Sequence, residues 1–169
     1  GIESGVLTPE MTFVDIGSIT LNGKTIRNWD NRAYGKITMA QVIENSVNTG
    51  AVFAERTIGH SRFREHLKRF GFGSTSGVDL PDELAGSIRN LERKGARDID
   101  FATAAFGQGI AVTPLQLVAA FSALANGGLL MRPYVDAAER PYVVRRVVSG
   151  ETAAAVTAMV ESAVERAKV

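Results

Sequence analysis

Residues 44–50 read Glu44-Asn45-Ser46-Val47-Asn48-Thr49-Gly50, ENSVNTG, and interrupt a helical pattern with five small or polar residues. Upstream, Thr38 starts a helix, Gln41 completes a capping box with it, and Met39, Val42 and Ile43 supply an apolar face. Downstream the pattern resumes over Ala51–Ile58 and closes at Gly59, a residue suited to a left-handed cap. Two helical segments thus flank the break, so Ser46 and Asn48 would sit at fixed angles on packed supports rather than on a loose loop. One helix end also supplies unpaired backbone donors there. The alternative is local: Asn48 caps the second helix and Ser46 satisfies the last carbonyls of the first.

Further out, Asn22-Gly23 lies between Ile19-Thr20-Leu21 and Thr25-Ile26, a hairpin signal because both residues tolerate positive φ. Ser61 is expected to cap a helix bearing Phe63, Leu67 and Phe70, ended by Gly71. Residues 71–95 read as an irregular surface excursion, and Asp98 or Asp100 caps a short helix running through Ala105, which Gly107-Gln108-Gly109 breaks. Thr113, Pro114 and Gln116 open the clearest helix, with Leu117, Phe121, Leu124 and Ala125 as its apolar stripe and Gly127-Gly128 as its end. Two extended pieces follow, Leu129–Met131 and Tyr142–Val144, and Ser149 caps a last amphipathic helix with Val156, Met159, Val160 and Val164. The expectation is one mainly α domain with a few short strands, no repeats and no low-complexity segment.

The chain has 169 residues, a formal net charge of +1, no cysteine and two histidines. That length allows one domain with a sizeable core. Absence of cysteine excludes disulfides, thiolate metal sites and a cysteine nucleophile, and His60 and His66 alone argue against a multi-histidine metal site. The near-neutral charge gives no global field for nucleic acid or an anionic membrane, and no apolar run spans a bilayer. Gly1-Ile2-Glu3 opens in mid-pattern and Glu165-Arg166-Ala167-Lys168-Val169 stops without a tail, so the chain reads as a piece of a longer protein.

The usual catalytic constellations are weak. Asp79, Asp82 and Glu83 flank Pro81 in a polar stretch and read as solvated loop, and His60 and His66 read as solvent-facing. Gly71-Phe72-Gly73 and Gly107-Gln108-Gly109 lack the Lys-Ser/Thr of a phosphate loop. Arg62, Arg64, Lys68 and Arg69 share a helix with Glu65 and no interleaved exposed aromatics, a solvated face rather than a nucleic-acid contact. Ser46-x-Asn48 remains.

With its neighbours, that motif resembles the transpeptidase domain of class B penicillin-binding proteins. The resemblance runs through Gly5–Pro9, Asn28-Trp29-Asp30, Gly35–Met39, Ser46–Gly50, Phe70–Gly73 and Gly77–Gly86. Its most specific part is Phe106-Gly107-Gln108-Gly109-Ile110-Ala111-Val112-Thr113-Pro114-Leu115-Gln116-Leu117, followed by Ala125–Gly128 and Arg132-Pro133, so nearly the whole chain is covered. It implies the helical part of the penicillin-binding protein/serine β-lactamase-like fold, α+β as a whole, with residues 1–169 as one partial domain.

In that family a Ser-x-x-Lys, a Ser-x-Asn and a Lys-Thr-Gly motif build the site. The resemblance gives Ser46 and Asn48 catalytic parts: Ser46 would relay or hold a proton, and Asn48 would hydrogen-bond a peptide or β-lactam side-chain amide. It assigns Thr49, Gln108 and Trp29 to substrate binding, against the alternatives of a polar loop residue for Gln108 and a core aromatic for Trp29. No serine here has lysine three positions on, and no lysine precedes Thr-Gly or Ser-Gly. The chain alone is therefore expected not to be acylated, the nucleophile lying upstream and the third motif downstream. The implied parent cross-links peptidoglycan stem peptides ending in D-Ala-D-Ala, is trapped by β-lactams, works with other cell-wall synthesis proteins, and needs no metal or cofactor. It would be tethered to the bacterial cytoplasmic membrane with this domain outside. A β-lactam sensor or serine β-lactamase of the same superfamily, and a non-catalytic scaffold for cell-wall synthesis, are the other readings.

Overall fold

The computed structural model describes residues 1–166. The expected end at Glu165–Val169 therefore falls partly outside the described residues. The chain first builds two small antiparallel ribbons. Strand β1 (Thr12–Asp15) pairs with β4 (Gly35–Thr38), and β2 (Ser18–Leu21) pairs with β3 (Lys24–Arg27). Asn22 and Gly23 take φ of +47° and +75° at the tip of the second ribbon, the two-residue turn that Asn-Gly favours. A third ribbon, β5 (Leu129–Arg132) with β6 (Tyr142–Arg146), lies far along the chain.

Helices α1 (Met39–Glu44) and α2 (Asn48–Ile58) follow the first ribbons, then α3 (His60–Arg69), α4 (Arg89–Glu92), α5 (Asp98–Ala105), α6 (Pro114–Ala125) and α7 (Gly150–Arg166). Both expected capping boxes are present, Thr38 with Gln41 and Thr113 with Gln116, and Ser149 caps α7 through its Oγ on the Thr152 N–H. With six strands beside seven helices among the described residues, the architecture is mixed α and β rather than mainly α. The extended pieces look minor in sequence because each spans only four or five residues.

Three local expectations change. Ser61 caps nothing: α3 begins at His60, with Gly59 at φ +82° turning the chain directly out of α2. Residues 71–95 are not all surface, since Ile88 and Leu91 are buried against Phe101 and Ala104. On α6 the buried face is Gln116, Ala120 and Ala123, whereas Leu117 and Phe121 are exposed, Phe121 by 55%. Gln116 draws that face inward. Its Nε2 donates to the carbonyls of Ser74 and Ala85, both at 2.7 Å, and so stitches the 71–86 excursion to the helix.

Gly50, the last residue of ENSVNTG, is explained by packing. A β-carbon there would lie 2.4 and 2.6 Å from the two methyl groups of Val42, so α1 and α2 approach as closely as they do only because position 50 is bare. Gly50→Ala is expected to lower unfolding stability by about 1–3 kcal/mol. Adding Val42→Ala should make the double variant more stable than the sum of the single effects, as read by denaturant unfolding.

Candidate active site

The turn between α1 and α2 is a helix C-terminus built to a specific pattern. Val47 N–H bonds to the Val42 carbonyl at 2.9 Å and Ser46 N–H to the Ile43 carbonyl at 3.1 Å, which puts Ser46 at the position that must be left-handed. Its φ is +51°. Helices α3, α5 and α6 end with the same pair of bonds, from Gly71/Phe72, Gly107/Gln108 and Gly127/Gly128. Those three ends carry glycine at the left-handed position, with φ of +93°, +84° and +83°. Serine at this position costs roughly 1 kcal/mol relative to an unstrained residue. The Ser46 side chain is exposed, and it is the turn's backbone N–H groups that satisfy the carbonyls, so the hydroxyl is not used for capping.

Asn48 is likewise no cap. It is the first residue of α2, behind Val47, which has no side chain able to cap. Asn48 Nδ2 instead donates across to the Arg27 carbonyl at the end of β3, at 2.9 Å. Its Oδ1 makes no hydrogen bond among the described residues. Asn48 and Gln108 line one open groove of about 350 Å³, together with Lys24, Arg27, Thr103 and Phe106. Gln108 is exposed and follows the left-handed Gly107 at the end of α5, with its own N–H tied to Thr103 O at 2.9 Å.

Ser46, Trp29 and Thr49, the other three expected site residues, do not line this groove. Trp29 is 70% exposed, so it is no core aromatic, and its indole N–H reaches the Asn45 carbonyl at 3.3 Å, laying the ring against the Ser46 turn. Thr49, expected at the substrate, is buried, and its hydroxyl donates inward to Asp15 Oδ1 at 2.6 Å.

That bond opens a polar cluster the sequence did not reveal. Asp15 and Asn28 are each only 2% exposed. Asp15 Oδ1 also accepts the Gly17 N–H at 2.8 Å, and Oδ2 accepts Asn28 Nδ2 and the Tyr34 N–H, both at 2.8 Å. Asn28 Nδ2 reaches the Arg32 carbonyl at 2.9 Å, and Asn28 Oδ1 accepts the Thr49 N–H at 3.2 Å, supplying from a distant loop the cap that Val47 cannot. Burial pushes the Asp15 carboxyl up, but the Thr49, Tyr34, Gly17 and Asn28 donors together hold it below the usual carboxylate range. The sequence signal was a lone acid between Val14 and Ile16. Strand alternation places those two on the face opposite Asp15, and the structure exposes both while burying the aspartate.

His60, Asp79 and Glu83 do not line the groove. His60 is half-buried rather than solvent-facing, stacked on Phe101 at 4.0 Å and bridging the buried Glu55 at 2.6 Å to Asp98 at 3.2 Å. Burial opposes its charge, yet hydrogen bonds to Glu55 and Asp98 raise its pKa. Asp79 and Glu83 are not free loop carboxylates. Asp79 accepts the N–H groups of Val135 and Asp136, and Glu83 those of Ser76 and Gly77. Among the described residues no cluster of three metal-ligating side chains occurs, and no helix is long and apolar enough to cross a membrane.

Comparison with known proteins gives this geometry its class. The chain belongs to the penicillin-binding protein transpeptidase domain family, whose model matches residues 1–169. It is 36% identical over 164 residues to Stage V sporulation protein D of Bacillus subtilis, covering 90% of this chain and 25% of that protein. Its fold is similar to the apo transpeptidase domain of Burkholderia pseudomallei penicillin-binding protein 3, with a TM-score of 0.83 and 29% identity over 95% of this chain and 48% of that one. It is also similar to Mycobacterium tuberculosis penicillin-binding protein 3 solved with ampicillin, with a TM-score of 0.79 and 29% identity over 94% of this chain and 37% of that one. The chain spans about a quarter of the length of the curated relatives it matches.

Because Asp15 is held below its ordinary range, its stabilising contribution is full above the unfolded value of about 3.9 and disappears as pH falls through the folded value. Asp15→Asn is expected to cost about 1–3 kcal/mol at neutral pH. Unfolding measured from about pH 5 to pH 3 should show a shallower loss of stability in that variant than in the parent chain.

Proposed function

We propose that this chain supplies the Ser-x-Asn wall of a peptidoglycan D,D-transpeptidase, an enzyme that cross-links stem peptides by serine acyl transfer. The observation that carries the reading is Ser46: one helix end of four keeps a strained serine where the others use glycine, beside an asparagine whose carboxamide faces a groove. Asn22, Asn31 and Asp82 are also left-handed, but Asn and Asp tolerate that conformation and serine does so less readily, so strain kept at this helix end points to a functional constraint. A hydroxyl and a carboxamide on a rigid turn can, respectively, exchange a proton with a neighbouring nucleophile and hold a peptide amide in register.

In the reaction so assigned, a serine of a Ser-x-x-Lys motif in the full-length protein attacks the D-Ala-D-Ala carbonyl. The C–N bond breaks, D-Ala leaves with the proton, and the amine of a neighbouring stem peptide resolves the acyl-enzyme. Asn48 holds the donor peptide's amide, Ser46 sits on the proton path, Gln108 forms the opposite wall of the groove, and Trp29 shields the Ser46 side of the turn. β-Lactams enter as mimics of the donor and remain as acyl-enzymes. The parent works at the outer face of the cytoplasmic membrane with other cell-wall synthesis proteins.

Fluorescent penicillin applied to the full-length protein tests the reading. Covalent labelling is expected, and an intact, folded protein that takes up no label overturns it. Asn48→Ala should slow acylation by about tenfold or more with little change in unfolding temperature. Ser46→Gly should slow acylation as well while leaving stability unchanged or raised by up to about 1 kcal/mol, since glycine relieves the left-handed strain.

A further inference from the structure

We infer that Asp15, Asn28 and Thr49 are positioning residues of the acylation site, acting through Asn48. The inference rests on the transpeptidase reading and goes beyond it. Asn48 has one hydrogen bond of its own to the scaffold, from Nδ2 to the Arg27 carbonyl. The other side-chain hydrogen bonds that hold the first turn of α2 come through its neighbour. The Thr49 N–H bonds to Asn28 Oδ1 at 3.2 Å, and the Thr49 hydroxyl bonds to Asp15 Oδ1 at 2.6 Å. Asn28 follows Arg27 directly in the chain. The residue whose carbonyl holds the Asn48 side chain is thus tied to the residue that caps the Asn48 helix.

The cluster is closed. Asp15 accepts four hydrogen bonds, two on each oxygen, and both Nδ2 protons of Asn28 are used, on Asp15 Oδ2 and on the Arg32 carbonyl. A carboxylate this buried is tolerated only when its acceptor positions are filled, so its partners cannot shift one at a time. The groove wall inherits that stiffness. Loss of the Thr49 hydroxyl would let the first turn of α2 rotate or fray and would carry the Asn48 carboxamide off the substrate amide, where displacement by about 1 Å is costly.

The full-length protein tests this with two β-lactams. Benzylpenicillin carries a side-chain amide for Asn48 to hold, and 6-aminopenicillanic acid has none. Thr49→Val keeps the volume and removes the hydroxyl, whereas Thr49→Ser keeps the hydroxyl. The readout is the ratio of the two second-order acylation rate constants, which does not depend on the fraction of molecules that is folded. Thr49→Val is expected to reduce that ratio by roughly tenfold, Thr49→Ser to restore most of it, and Thr49→Val placed on Asn48→Ala to cause no further drop. An unchanged ratio in Thr49→Val, with both rates lowered equally or not at all, overturns the inference and returns the cluster to a purely structural part. The transpeptidase reading would fail differently, by absence of acylation in the unmodified protein.

Discussion

A single buried carboxylate organises the first half of the molecule. Asp15 leaves water at the end of β1 and is met by donors from the β1–β2 turn, from the loop between β3 and β4, and from the first turn of α2. Moving a carboxylate out of water costs several kcal/mol unless every acceptor position is used. The four hydrogen bonds offset that cost only as a set. Two ribbons and a helix are therefore locked in one arrangement, and a hydrophobic contact of similar size would not specify the geometry so narrowly.

Helix ends show the opposite economy. The residues at which α3, α5 and α6 stop are glycines, because a left-handed residue without a β-carbon ends a helix at little cost. At α1 the same bonds are formed around serine, and the apolar contact that accompanies this motif is present, since Val42 and Val47 pack in one core cluster. The backbone pattern is thus complete without the hydroxyl, so capping does not account for the serine. Gly50 completes the contrast: there a side chain is absent because α1 lies against it.

Features encoded within a few residues were legible in the sequence. The Asn22-Gly23 hairpin, the Thr38/Gln41 and Thr113/Gln116 boxes, the Ser149 cap and the glycine stops all occur where local rules place them. Long-range pairings were not. Gln116 reads as a capping-box residue and is one, but its other end reaches carbonyls 31 and 42 residues away and decides which face of α6 is buried. Thr49 stands beside Asn48 in a motif, and its hydrogen-bond partners lie 34 and 21 residues upstream. Helical periodicity cannot report a hydrogen bond to another element, so the buried partners of Thr49 and Gln116 were not legible in the sequence.

The groove itself is referenced to one hairpin. At the tip, Asn22 Oδ1 accepts the Ile99 N–H at the start of α5, at 3.1 Å, and at the base the Arg27 carbonyl holds Asn48. The buried faces meet in the same place, where Leu21 and Ile26 pack against Val52 of α2 and against Ile99 and Ala102 of α5. Gln108 follows the C-terminal end of α5, and Asn48 opens α2, so both walls of the groove take their position from the β2–β3 ribbon. A ribbon of two four-residue strands has little stability alone. Here it is held at its base by Asn28 and Asp15 and at its tip by α5, which makes the spacing between Asn48 and Gln108 a property of the packed fold rather than of either loop.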